Sequence, residues 1–290
     1  MRLNKWLAPR GAMLGVLFFP FGDVEDLSSK PNPWHGIEEE GAVFVFARAE
    51  KFTGVSRARC EAMTSALKKL DYGIEVAAKR LDFSSAWKAW GPWSEDDNEA
   101  VADCDGSPCK VKINAAEGAK MKAAPEADRK AEFFKLVVDR AKAYVSGGVR
   151  PGYEFDGPIA DPWVVFEKQG LKNNVAAMKP RIFVRRYDME KMRPIRQVLD
   201  VRLAETRGRG ASVWVRDVYV AHYFDSWGEL HELTCDPKAK TAALIQGLVL
   251  EVDQMKSKSF FWIFGRGKVK SIAREQGPIY LDKIRDKLVK

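Results

Sequence analysis

The chain has 290 residues, of which 46% are hydrophobic and 30% charged, and a formal net charge of +8. These fractions exclude a disordered, collagen-like, coiled-coil or multi-span membrane protein and leave one large domain or two small ones. Eleven per cent aromatic residues, nine of them Trp, supply the material for a real core.

Residues 1–22 carry Arg2, Lys5 and Arg10 but no acid, and an apolar run follows from Ala12 to Phe21. A basic start and a short apolar run form the pattern of a secretory signal, and the run is too short to span a bilayer. No small-x-small cleavage site stands before Asp23, so a buried N-terminal segment is the plainer alternative. Residues 23–41, with Pro31, Pro33 and Glu38-Glu39-Glu40, read as a linker. The expected organisation is a signal segment over 1–22, a linker over 23–41, and one domain over 42–290 with a candidate hinge at 147–162.

Ala42–Ala47 reads as a strand, and Ser56–Leu70 as a helix with Cys60, Met63, Leu67 and Leu70 at helical spacing, ended by Gly73. Ile74–Leu81 is a further strand candidate. Trp87, Trp90 and Trp93 recur every third residue; they read as an anchor onto the core, or else as an aromatic rim for a ligand or membrane. Ser94 opens a helix that ends near Cys104, with acids in its first turn and Asp97 at the capping-box position. Lys110–Ile113 is a short extended piece. Pro125–Ser146 is a helix with Ala131, Phe134, Val138, Ala141 and Val145 as its stripe, stopped by Gly147-Gly148.

The second half reads as strands: Ile182–Tyr187, Ile195–Thr206, Val213–Phe224, Trp227–Cys235 and Ala243–Val252. Turns are expected at Arg207–Gly210 and at Asp225-Ser226. A basic helix from Lys268 to Leu288, broken at Pro278, finishes the chain. The predicted fold class is α+β: a helical N-terminal half packed on a C-terminal antiparallel sheet closed by a terminal helix, a helix-grip-like shape that often holds an apolar pocket between sheet and helix.

Four cysteines fit an exported chain with disulfides. Cys104 and Cys109 enclose Asp105-Gly106-Ser107-Pro108, a set of turn formers that can bring them within bridging distance. Zinc would want a second close pair, and a redox pair usually has two intervening residues, not four. A Cys104–Cys109 bridge is therefore expected, and a Cys60–Cys235 pairing is left open.

The surplus charge is local. Lys179 to Arg216 holds eleven Lys/Arg and four Asp/Glu. Along Ile195–Thr206, Ile195, Leu199, Val201 and Leu203 face one way and Arg196, Asp200 and Arg202 the other. A sheet solvated on one side would expose Arg196 and Arg202 to an anionic membrane surface; a solvated face with no partner is the bland reading. Export makes nucleic acid the least favoured anion.

Trp93-Ser94-Glu95-Asp96-Asp97, then Cys104, Cys109 and Lys110-Val111-Lys112-Ile113, followed by Tyr219, His222, Tyr223, Phe224 and Asp225, form two motifs in a particular order. Together they resemble a family of uncharacterised exported bacterial proteins with a Cys-x4-Cys pair, a Val-Lys-Leu-like triplet and a Tyr-x-x-His-Tyr-Phe-Asp strand near the end. The similarity runs from Ser94 to the C-terminus. Glu251-Val252-Asp253-Gln254 stands where the family has an Asn-Arg-Ser-Arg-like turn. The resemblance implies an exported envelope protein and no reaction.

His222 sits among apolar strand neighbours, as a hydrogen-bonded core histidine or as the polar anchor of an apolar pocket. Tyr219, Tyr223 and Phe224 are the accompanying ligand-binding candidates. His231-Glu232 resembles half of a zinc-protease motif, but Cys235 replaces the second His and the segment reads as strand, so no metal is expected. No nucleophile elbow or phosphate loop is present. The expected function is non-catalytic binding of an apolar or amphipathic envelope ligand such as a lipid, without a cofactor. An envelope interaction or assembly protein with a filled core is the alternative, and a hydrolase using His222 the third. The oligomeric state is not readable.

Overall fold

A computed structural model of the chain describes residues 38–40, 43–77, 81–102, 111–147, 161–168, 175–188, 194–206, 209–221, 224–252 and 260–290. The signal segment 1–22, the linker up to residue 37, most of the hinge at 147–162, Cys104, Cys109, His222 and Tyr223 lie outside those residues.

The described strands are β1 (Glu38–Glu40), β2 (Val43–Thr53), β3 (Ile74–Val76), β4 (Arg181–Tyr187), β5 (Ile195–Thr206), β6 (Gly210–Val220), β7 (Phe224–Asp236) and β8 (Thr241–Val252). They form one antiparallel sheet in the order β1-β2-β8-β7-β6-β5-β4-β3. The described helices are α1 (Arg57–Lys68), α2 (Glu95–Ala102), α3 (Ala115–Ala123), α4 (Glu126–Gly147), α5 (Pro162–Lys168) and α6 (Phe260–Val289). The protein is α+β, with most of its helices in the N-terminal half and a terminal helix on the sheet, as the patterning predicted.

The long strands follow from alternating β-branched and aromatic residues joined by short turns. β2 is the exception in chain order. It leaves the N-terminal half and pairs along its whole length with β8, from Val43 opposite Glu251 to Thr53 opposite Thr241. The acidic run read as linker is the edge strand β1, Glu38 facing Val45 and Glu40 facing Val43.

Both faces of the sheet are covered. On one face α1 and α6 bury Phe44, Leu199, Val215, Leu248 and Leu250 against Met63, Leu67, Leu281 and Ile284. On the other, α4 and the tryptophan turn at 87–90 bury Val184, Val198 and Tyr219, while α5 covers Ala47, Leu230 and Val249. The trio of tryptophans is an anchor: Trp87 stacks on Phe134 of α4, Trp93 packs tilted on Phe133 and edge-on to Phe134, and fully buried Trp90 donates its indole N–H to the Gln197 carbonyl at 3.2 Å.

Several local readings are corrected. The capping box at α2 is present, Ser94 N–H to Asp97 Oδ2 at 2.8 Å, but α3 was not anticipated. The buried side of α4 is Phe133, Val137, Arg140, Ala141 and Tyr144; Ala141 is as expected, while Phe133, Val137 and Tyr144 each stand one residue before the expected Phe134, Val138 and Val145. Asp225-Ser226 is not a turn but the start of β7, at a register shift, because buried Asp225 accepts a hydrogen bond from buried Lys112 at 2.8 Å. α6 is continuous through Pro278. A proline there forfeits one backbone hydrogen bond; packing offsets that loss, since Gly277 lies so close to the Phe46 ring that a Cβ would meet it at 2.7 Å.

Cys60 of α1 and Cys235 of β7 are joined by a disulfide, the pairing that the sequence left open. It fastens α1 to the sheet across 175 residues of chain. No described helix is long and apolar enough to cross a membrane.

Candidate functional site

The basic stretch from Lys179 to Arg216 was expected to paint a solvated face. Instead Arg185, Arg202 and Arg216 are each at most 8% exposed. Burying a cation is costly unless it is paired and hydrogen-bonded, and each of the three is surrounded accordingly.

Arg185 on β4 faces α6. Its guanidinium donates to Gln197 Oε1 at 2.9 Å, to the Tyr280 hydroxyl at 3.0 Å and to Glu229 Oε1 at 2.9 Å. Trp227 Nε1 donates to the same Glu229 oxygen at 2.7 Å, and His231 Nε2 lies 3.3 Å from the other. Tyr187, Trp227 and Tyr280 stand edge-on to one another around the cation, with ring centroids 5.6–5.9 Å from it. Burial alone would push the Glu229 carboxyl up; Arg185, His231 and the hydrogen bonds outweigh it and hold the group at about 2.

Arg185, Tyr187 and Tyr280 of this cluster line a pocket of about 290 Å³ between α6, β4 and the turn after α1. β3 pairs only with Ile182–Val184, so the sheet edge at Arg185–Tyr187 has no neighbour in β3 and the pocket occupies that stretch. Gly73 makes the turn fit. It has φ +93, and a Cβ there would meet the Val184 carbonyl oxygen at 2.2 Å, so only glycine lets Asp71–Gly73 lie this close to β4. Asp71 accepts the Gly73 N–H at 2.8 Å. Exposed Asp71, Lys283 and Lys287 surround the mouth, and buried Tyr72, Arg185 and Tyr280 line the floor. The Tyr72 hydroxyl is buried and has no hydrogen-bond partner. Burial, and secondarily the Glu229 charge, raise its pKa well above the usual tyrosine value, so it is a neutral donor.

On the opposite face, Arg196 and Arg202 do not present themselves to a membrane. Arg196 clasps Asp97 of α2 at 2.5 and 3.0 Å and donates to the Pro92 carbonyl at 3.0 Å. Arg202 reaches Asp200 at 2.9–3.0 Å and the Val175 carbonyl at 2.7 Å. The side-chain alternation along β5 was read correctly, but the face that carries both arginines is covered by helices rather than solvated, and both are paired within the protein. Arg216 completes the cluster, donating to Tyr144 at 2.9 Å and to Asp161 at 2.5 Å. Arg202 and Arg216 also stack on the Trp163 ring at 4.7 and 3.9 Å.

Tyr219 and Phe224 do not line one pocket. The register shift opposite Val198/Leu199 leaves Val218 without a partner in β5, so Val218 and Tyr219 both pack toward α4. Tyr219 donates its hydroxyl to the Val111 carbonyl, and Phe224 packs on the other face, 5.5 Å from Trp227. These bonds and the Lys112–Asp225 pair bring the two motif stretches together in space. Among the described residues no group of three or more His, Cys, Asp or Glu is placed to hold a metal.

Sequence reasoning missed Arg185, Glu229, Tyr72 and Tyr280. One signal was available: period-two alternation places Arg185 on the same strand face as Phe183 and Tyr187, and Glu229 between Trp227 and His231. A lone charge on an apolar strand face announces a buried pair, but not its partner. Comparison with protein-family models, with curated proteins and with solved structures finds no match.

Proposed function

We propose that the protein is an exported, non-catalytic binder of a small amphipathic ligand held between β4 and α6. The carrying observation is the pocket itself: an aromatic floor, a buried hydroxyl without a partner, and two lysines at the mouth. Small-molecule sites commonly combine an apolar lining with a few convergent polar groups in ~300–1,000 Å³. At about 290 Å³ the pocket suits a headgroup with a ring or short chain rather than a whole diacyl lipid. The basic, apolar segment at residues 1–22 and the Cys60–Cys235 link support export, since disulfides persist in oxidising compartments.

One observation favours the filled-core interaction protein as a second reading: both sheet faces are packed shut away from this pocket. Native mass spectrometry of protein purified from its own envelope separates the two. A bound small molecule, displaced on adding excess ligand of the same kind, upholds the binder. Protein that emerges without any adduct favours the filled core.

A further inference from the structure

Resting on that reading, we infer that the pocket selects an anionic headgroup, a carboxylate or phosphate carried on a small ring or short chain, with the Tyr72 hydroxyl as its buried donor. Three features converge on this chemistry.

The first is charge. Arg185 is neutralised by Glu229 and Arg186 by Asp188, but Lys283 and Lys287 have no carboxylate partner among the described residues. They stand four apart on α6, so they share one helix face and one mouth. Asp71 is the one acid in the lining, and its charge stands against two lysines, so the mouth keeps a surplus of one positive charge.

The second is the hydroxyl. A buried donor without a partner is rare in a folded protein and costs about 1–3 kcal/mol. Tyr72 lines the pocket and its sealed hydroxyl is in that position, whereas the neighbouring Tyr280 hydroxyl is occupied by Arg185. A small turn of the Tyr72 ring toward the pocket would let a ligand oxygen satisfy it. The third is the floor: Tyr187 and Tyr280 offer ring faces and edges to a planar or short apolar body.

Lysines at an open mouth attract anions over distance, and the deeper hydroxyl then distinguishes a ligand with an acceptor oxygen from one without. Tyr72 is thus a specificity residue, and its removal is safe for folding, because Tyr72→Phe deletes an unsatisfied polar atom and keeps the ring.

The test titrates the full-length protein with phenyl phosphate, phenylacetate and neutral phenylacetamide by calorimetry. The parent should bind the two anions at least tenfold more tightly than the amide. Lys283→Glu with Lys287→Glu should erase that preference, and Tyr72→Phe should weaken anion binding about tenfold without lowering thermal stability. Equal affinity for anions and amide, no binding by any of the three, or unchanged anion binding by Tyr72→Phe overturns the inference. The ligand-binding reading is judged separately by what co-purifies: a neutral co-purified molecule keeps that reading and ends this one. A phosphatidylglycerol-vesicle arm identifies the source. Vesicle attachment competed by phenyl phosphate assigns a lipid headgroup, and soluble binding without attachment assigns a free metabolite; either upholds the anion.

Discussion

Glu229 and Glu232 lie three residues apart on β7 and therefore on opposite faces of one sheet. The α1/α6 face holds Glu229 inside a complete shell of Arg185, Trp227 and His231, and its carboxyl sits at about 2. The α5 face gives Glu232 burial with no compensating charge, and its carboxyl is pushed up to about 7. The same residue type on the same strand is thus tuned in opposite directions by what covers it. The comparison is between two positions: Glu229 has been built into an ion network, whereas Glu232 has only been covered, the ion pairs of its face being those of Arg202 and Arg216. The face of Glu229 is also the one with the disulfide and the pocket.

The largest effect should come from breaking the shell around Glu229. Arg185→Met leaves a fully buried carboxylate without its cation, which costs about 3–5 kcal/mol. Urea unfolding followed by tryptophan fluorescence measures it. Arg185→Met combined with Glu229→Leu should recover most of the loss, because replacing a whole buried pair by apolar groups is close to neutral. If the double variant is as unstable as the single one, the pair does not act as a unit and the contrast between the faces weakens.

The disulfide should come next. Cys60→Ala with Cys235→Ala releases a loop of 175 residues; the chain-entropy account sets an upper limit of about 5 kcal/mol, of which disulfides typically realise about 2–4. Because the bond ties α1 to β7 on the pocket face, hydrogen exchange should rise first in α1 and leave α4 protected. Uniform exchange across both layers would show that the two faces open together.

Acid should act on the same face. The Glu229 carboxyl has an ordinary value of 4.5 and is held at about 2 in the folded chain. Its contribution is present in full above 4.5 and is lost as the pH falls from there toward 2, roughly 3 kcal/mol in all. Comparing the parent with Glu229→Gln between pH 6 and pH 2.5 isolates it: the gap should narrow steadily as the solution is acidified. A gap that stays constant would mean that the folded state does not lower this carboxyl.

Strand positions were legible because β-branched and aromatic residues alternate in long runs; Ile195–Thr206 is matched residue for residue by β5. Which face is wet was not legible. The Arg196/Asp200/Arg202 side reads as polar, yet α2, α4 and residues near Val175 supply Asp97, Tyr144 and a backbone carbonyl that satisfy it from far along the chain. Alternation reports the face of a side chain, not the layer above it. A bulge is equally silent in sequence, and the one in β6 places Val218 with Tyr219 on one side. The pocket was invisible for a similar reason: its walls come from Tyr72, Arg185 and Tyr280, which only the fold brings together.

The smallest effect sharpens the comparison most. Glu232 is raised to about 7 by burial alone, with an ordinary value of 4.5. A raised carboxyl is favoured in its protonated form by the folded state, so the folded chain is relatively more stable below 4.5 and loses that advantage as the pH rises through 7. Glu232→Gln removes the ionisation while keeping size and polarity. At pH 4 it should change little; at pH 8 it should stabilise the protein, by about 1 kcal/mol once the side chain's partial exposure to water is allowed for. Thermal melts of parent and variant at the two pH values measure the difference directly. Glu229→Gln must behave in the reverse sense, destabilising at pH 8 and mattering less as the acid limb is reached. Should both substitutions shift stability in the same direction at pH 8, the two faces of β7 do not differ in kind, and the ion-centred organisation of the α1/α6 face loses its support.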